Sequence, residues 1–212
     1  MSKENNEELE NFVARAIENK EKPFDEFRQK LLKEIRILQK SEDCFLKFTE
    51  VATQRSEKVT KWLNMLGEIA ERTLKSSHPE DLSFFKTSSF LLVFETGYLT
   101  FVDIICLLLI KNGHDIFYRM KYCTSLEEIG LVDTSIKFRF LKEHGFGAII
   151  REDDRQLRNN MAHLNYTIKD QNIITVGSAE NVNIHERVKD LLKFVVVISF
   201  TTTKALKSLV NS

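Results

Sequence analysis

Only nine of the 212 residues are Gly or Pro. That scarcity limits the fold more than any motif does. Tight turns between strands draw on Gly, Pro, Asn and Asp for their special backbone angles. A sandwich of many short strands would need such turns throughout. Nucleotide-binding α/β folds open on Gly-rich phosphate loops. Neither architecture suits this chain, and an all-α fold is predicted. Hydrophobic residues make up 42%, enough for a real core and too many for generic disorder. Sixteen Phe stand against four Tyr and one Trp, which favours a dry helical core over a carbohydrate-stacking surface.

Charge narrows the partners. Lys and Arg number 31, and so do Asp and Glu. A chain of zero net charge has no field to draw nucleic acid from a distance, so any action on RNA must come from a local site. Cys44, Cys106 and Cys123 are odd in number and widely spaced. They fit neither a zinc spacing nor a secreted disulfide framework, and read as reduced intracellular thiols. The acidic start MSKENNEELE lacks the apolar stretch of a signal peptide, so a cytoplasmic location is expected. No metal and no cofactor are expected.

Along the chain, apolar residues recur in steps of three and four. Phe12, Ala16 and Ile17 mark a first short helix. Pro23 suits the start of a second, which carries Phe24, Phe27, Leu31, Ile35 and Leu38. Ser41, with Glu42 and Asp43 behind it, starts a third, striped by Phe45, Phe48, Ala52, Val59, Trp62, Leu66 and Ile69. Trp62 and Met65 are read as core. Ser76-Ser77-His78-Pro79 is a break. Residues 1–76 therefore form an N-terminal helical extension, and residues 80–210 a bundle domain. Residues 88–110 hold only two charges, Glu95 and Asp103, and are long enough to span a bilayer. Each charge would be costly at a membrane centre, so a buried bundle helix ending at Asn112-Gly113 is preferred, with no membrane partner. Short helices follow from Ser125 and from Asp133 or Ser135. Tyr166 to Val176 alternates about a polar centre and gives one small β-hairpin. A last helix runs from about Asn183 to Val210. His78, His114, His144 and His185 are expected to stand singly at surface or capping positions.

One stretch carries chemistry: DDRQLRNNMAHLNY from Asp153. Wound as a helix, Leu157, Met161 and Leu164 make a narrow apolar stripe. Arg158 and His163 fall about 140° apart on the other side. Between them lie Ala162, Arg155, Tyr166 and Asn159. The small Ala162 leaves a shallow notch with a guanidinium on one rim and an amide and imidazole on the other. His exchanges protons near neutrality, Arg stays charged and forks onto phosphate oxygens, and Asn both donates and accepts. RNA supplies its own nucleophile in the 2′-OH. These residues suit metal-free phosphodiester cleavage. Glu95 and Asp103 lie about 80° apart on their helix. Asp103 is expected to pair with a buried Lys or Arg. Glu95 either does the same or reaches the notch to hold Arg158 or His163. Segment 136–160 has six Lys/Arg against four Asp/Glu, too slight a surplus for a basic groove. No aromatic stacking platform is apparent.

Arg158-Asn159-Asn160-Met161-Ala162-His163 resembles the R-x4–6-H signature of HEPN domains, in its R-N-x-x-A-H form. Phe90-Leu-Leu-Val-Phe-Glu-Thr-Gly-Tyr-Leu99 is similar to the apolar early helix of such domains, with Glu95 and Tyr98 at matching positions. The resemblance covers roughly residues 80–210 and leaves the first 75 or so aside. It implies an up-and-down HEPN-like bundle that forms a homodimer with the two motif helices meeting in a composite cleft. It also implies a metal-independent endoribonuclease, of the kind found in toxin–antitoxin and defence systems, with RNA as substrate and an antitoxin or other partner protein. Arg158 and His163 then match the catalytic positions and Asn159 the polar accessory. Arg155, Tyr166 and Glu95 are further accessory candidates. Some toxins carry a Tyr two residues after the His that is modified to inactivate them. Here Leu164-Asn165 intervene before Tyr166, so that regulation does not carry over. The alternative is a non-catalytic HEPN-like interaction module whose motif serves the dimer interface.

Overall fold

The computed structural model describes residues 22–76, 78–169, 172–175 and 181–210. The short helix expected at Phe12, Ala16 and Ile17 lies outside them, as do Ser77, Val176 and the hairpin turn at Asp170-Gln171. The described chain is mostly helical, with small antiparallel sheets. It runs α1 (Lys22–Gln39), α2 (Glu42–Ser76), α3 (Pro79–Leu92), a π-helical segment Val93–Tyr98, and α4 (Leu99–Lys111). Strands β1 (Phe117–Tyr118) and β2 (Lys121–Tyr122) follow, then α5 (Leu126–Gly130), α6 (Thr134–Glu143), a 3-10 turn at Gly147–Ile149 and α7 (Glu152–Ala162). Strands β3 (Tyr166–Lys169), β4 (Asn172–Thr175) and β5 (Asn181–Asn183) lead into α8 (Ile184–Val210). The chain divides into two compact units. Among the described residues one takes in 22–54, 101–150 and 196–210, the other those within 55–100 and 151–195.

In the first unit the predicted stripe of α1 is the buried one: Phe27, Leu31, Ile35 and Leu38 are each at most 2% exposed. Phe27 meets the ring of Phe146 edge-on at 6.1 Å. Asn112, just past α4, donates to the Glu34 carbonyl at 2.9 Å and to its carboxylate at 2.7 Å, tying α1 to the end of α4. Burial by itself would raise the pKa of Glu34. The bonds from Lys30 and Asn112 outweigh it and hold the carboxyl below its ordinary value. Asp103 finds the buried cation the sequence called for, Lys137, at 2.7 Å. α4 and α6 end the same way. After α4, the Gly113 N–H bonds the Ile110 carbonyl and the His114 N–H that of Leu109. After α6, Gly145 and Phe146 bond Lys142 and Leu141 in the same pattern. Both glycines have positive φ, as this helix-ending motif requires.

In the second unit Pro79 opens α3. Leu82–Lys111 is long and apolar enough to cross a membrane, and 72% of its most apolar window is buried. Phe90 stacks on Phe94, whose ring meets Tyr98 at a tilt, with Phe194 of α8 tilted against Tyr98 beyond. Gly97 permits close approach: a Cβ there would stand 3.2 Å from a methyl of Val195. The strands β3, β4 and β5 form a meander with Tyr166 opposite Thr175 and Ile173 opposite Val182.

Several expectations need correction. The stripe of α2 does not stay inside. Leu66 is buried, Trp62 is half-buried, and Met65 and Ile69 are exposed. A strict three–four repeat drifts about 20° per heptad around a straight helix, and Ile69 is more than three heptads from Phe45. The single hairpin is joined by a third strand, β5. Its three residues are too few to alternate legibly, and Asn183 also caps α8 through its side chain. A second small sheet, the β1–β2 ribbon, was not foreseen. Its two-residue turn, Arg119-Met120, has φ of 48° and 68°. Both positions sit in the left-handed region that Asn-Gly normally fills, so the sequence carried no turn signal. Finally, α7 stops at Ala162, four residues before Tyr166.

Candidate functional site

The early stop of α7 shapes the motif. Its last turn closes as α4 and α6 do: the Leu164 N–H bonds the Met161 carbonyl at 3.1 Å, and the Asn165 N–H that of Asn160 at 2.8 Å. Here the left-handed position is filled by Leu164, with φ of 55°. No glycine marked the end, which is why the sequence read on through it. Leu157 and Met161 are buried as expected, but Leu164 is swung out to 79% exposure. His163 is the C-cap, solvent-exposed, its backbone N–H still bonded to the Asn159 carbonyl at 3.0 Å. Tyr166 belongs to β3 rather than to the helical face.

Three of the candidate side chains form one connected group. Arg158 Nε donates to Glu95 Oε1. Arg158 NH1 donates to the Asn159 side-chain oxygen at 2.9 Å. A guanidinium has five N–H donors, so three remain for another acceptor. Both side chains of the ion pair stay partly open to solvent, Arg158 at 33% and Glu95 at 39%. Glu95 comes from the π-helical segment. A π turn inserts an extra residue and is often found at functional positions. Here Phe94 and Tyr98 face inward while Glu95 and Thr96 look outward. Of the two roles foreseen for Glu95, the structure shows the second, toward Arg158. Among the described residues no hydrogen bond joins His163 to Arg158. Asn159 lies next to Arg158 and bonds both it and, through its carbonyl, the His163 backbone.

The first half of α7 is closed. Asp154 is fully buried and accepts from Arg151 Nε and Arg187 Nε. Arg151 also reaches Asp190 at 2.7 Å and lies 4.8 Å from the ring centre of Phe194. Its backbone N–H donates to the Tyr98 hydroxyl at 3.1 Å, and burial pushes that phenol well above its usual range. Arg155 is held by Glu152 one turn back. Nothing in the spacing pointed to Arg187, which comes from a distant helix. Three acidic residues in the first turn also suit the helix dipole.

Elsewhere the histidines are not all solitary. His114 and His144 follow the ends of α4 and α6, and their rings meet at 4.3 Å. The matched helix endings bring them together, a pairing that spacing alone did not reveal. Among the described residues no group of three or more His, Cys, Asp and Glu is placed to hold a metal ion. An exposed aromatic pair, which the sequence did not suggest, stands on the β1–β2 ribbon. No family model matches the chain, and no curated protein or solved structure does either.

Proposed function

We propose that this chain is a metal-independent endoribonuclease of the HEPN type, working as a homodimer in a defence or toxin–antitoxin setting. The observation that carries the reading is the connected Glu95–Arg158–Asn159 group, half-open to solvent and one turn from the exposed His163. Glu95 fixes one edge of the guanidinium and leaves donors for a phosphate. Arg158 steadies the negative charge that gathers on the non-bridging phosphate oxygens as the reaction proceeds. Asn159 orients the group. His163 takes the proton of an RNA 2′-OH as the 2′-oxygen bonds to phosphorus. The bond from phosphorus to the 5′-oxygen breaks, and the imidazolium returns a proton to that oxygen. The products are a 2′,3′-cyclic phosphate and a 5′-hydroxyl. A second copy brought against the same face doubles the group and closes it from water.

The test is incubation of the purified protein with single-stranded and structured RNAs in excess EDTA. Cutting is expected to persist and to leave cyclic phosphate ends. No cutting of any RNA, or 5′-phosphate ends, would sink the reading. The alternative is a non-catalytic interaction module. It is favoured by one feature, the exposed Leu164 held at a strained backbone angle beside the motif. In that case Arg158→Ala weakens dimerisation in sedimentation and no RNA is cut by either form.

A further inference from the structure

The β1–β2 ribbon belongs to the first unit and carries its own exposed surface. Phe117 and Tyr122 are cross-strand partners. They occupy the closely spaced kind of pair, since the next residues out, Ile116 and Cys123, share a backbone bond of 2.9 Å. Their rings lie 5.1 Å apart and are 56% and 59% exposed. At the tip, Met120 is 89% exposed and the Arg119 guanidinium lies 5.1 Å from the ring centre of Tyr118. Arg119 and Met120 both hold left-handed angles. Such angles disfavour residues with side chains, and an Asn-Gly pair would relax the turn. The chain keeps an arginine and a methionine there despite that cost.

We propose that this ribbon is a contact surface for single-stranded RNA. The choice of RNA rests on the nuclease reading above; the surface itself is argued independently. Exposed rings offer faces on which any base can stack, and arginine beside them reads as both a stacking plane and a phosphate contact. Around the ribbon the basic residues Lys111, Arg119 and Lys121 stand against Asp115 and against Glu128, which pairs with Lys121, a surplus of one positive charge. Lys121 gives one donor to Glu128 at 2.7 Å and keeps two. A polyanion with planar bases fits this mixture of charge and π surface. Strands of two residues are too short to pair with an added peptide strand, which disfavours an extended protein segment. The local charge answers the absence of net charge on the chain: the grip is short and confined to a few nucleotides.

The experiment measures binding without cutting. The full chain is titrated into a fluorescein-labelled 2′-O-methyl oligouridylate, whose blocked 2′-oxygens cannot attack. Binding is read by fluorescence anisotropy across a salt series. Phe117→Ala with Tyr122→Ala is expected to weaken binding roughly 5- to 100-fold. Arg119→Asn with Met120→Gly is expected to weaken it several-fold, to flatten the salt dependence by about 0.7 in slope, and to leave the melting temperature unchanged or higher. Native affinity in the ring variant would overturn the proposal, as would binding to phosphatidylserine vesicles with none to the oligonucleotide. Cutting is scored separately on unmodified RNA. A native protein that cuts RNA while the ring variant binds as tightly as native ends the ribbon proposal alone. One that binds through the ribbon yet cuts nothing ends the nuclease reading and supports the ribbon.

Discussion

Arg151 and Arg158 stand at the two ends of α7, and each is paired with carboxylates. Arg151 shares the fully buried Asp154 with Arg187, reaches Asp190 and packs on the Phe194 ring. Its side chain is 17% exposed. Arg158 has one carboxylate, Glu95, and one amide, Asn159, and is twice as exposed. The residue types are alike and the surroundings are not. Where solvent is gone, every charge must be matched inside the fold, and the group is structural. Where solvent remains, donors are left over that can serve a ligand. The difference assigns the beginning of α7 to holding the unit together and leaves spare donors at its end, where the proposed chemistry is placed.

Four changes would break or sharpen this contrast. The largest effect is expected at the closed end. Asp154→Ala removes the buried carboxylate that two arginines share, leaving Arg151 only its exposed partner Asp190, and should cost about 3–5 kcal/mol in urea unfolding. A loss under about 1 kcal/mol would mean that water enters the cluster and the contrast is false. Next, Leu164→Gly relieves the left-handed angle and should raise stability by about 0.5–1 kcal/mol, net of the greater chain freedom of glycine. A drop would mean that the left-handed angle at Leu164 carries no net cost. Arg158→Ala should lower stability by less than about 1 kcal/mol, because its ion pair is half-solvated. The smallest effect involves acid. Glu128 accepts from Lys121 and from the Thr124 N–H and hydroxyl, and its carboxyl is lowered to about 2 from an ordinary 4.5. A lowered carboxylate contributes stability that is present above the unfolded value and lost as pH falls through the folded one. Glu34 acts in the same direction. The melting temperature should therefore decline between about pH 5 and 2, and Glu128→Gln should decline less steeply. A parallel decline would remove Glu128 from the account.

The sequence disclosed what depends on neighbours three and four residues away. The stripe of α1, the break before α3 and the glycine endings of α4 and α6 were all legible. So was the need of Asp103 for a buried cation. What stayed hidden has two physical causes. One is unusual occupancy of left-handed angles: Arg119-Met120 and Leu164 do what Gly or Asn would announce, so the ribbon was missed and α7 was read too long. The other is long-range pairing. Arg187 joins Asp154, and His114 meets His144, through helix ends that spacing does not relate. In the candidate site, pattern singles out Arg158, Asn159 and His163 and leaves two roles open for Glu95. The π turn that aims it at Arg158 has no sequence signature of its own.

The most direct test of the open end of α7 is the initial rate of RNA cleavage in EDTA by His163→Ala against the native protein, at matched folded concentration. The account predicts a fall of about 100- to 10,000-fold with the melting temperature unchanged. Equal rates in the two proteins, or no cleavage by the native one, would contradict it.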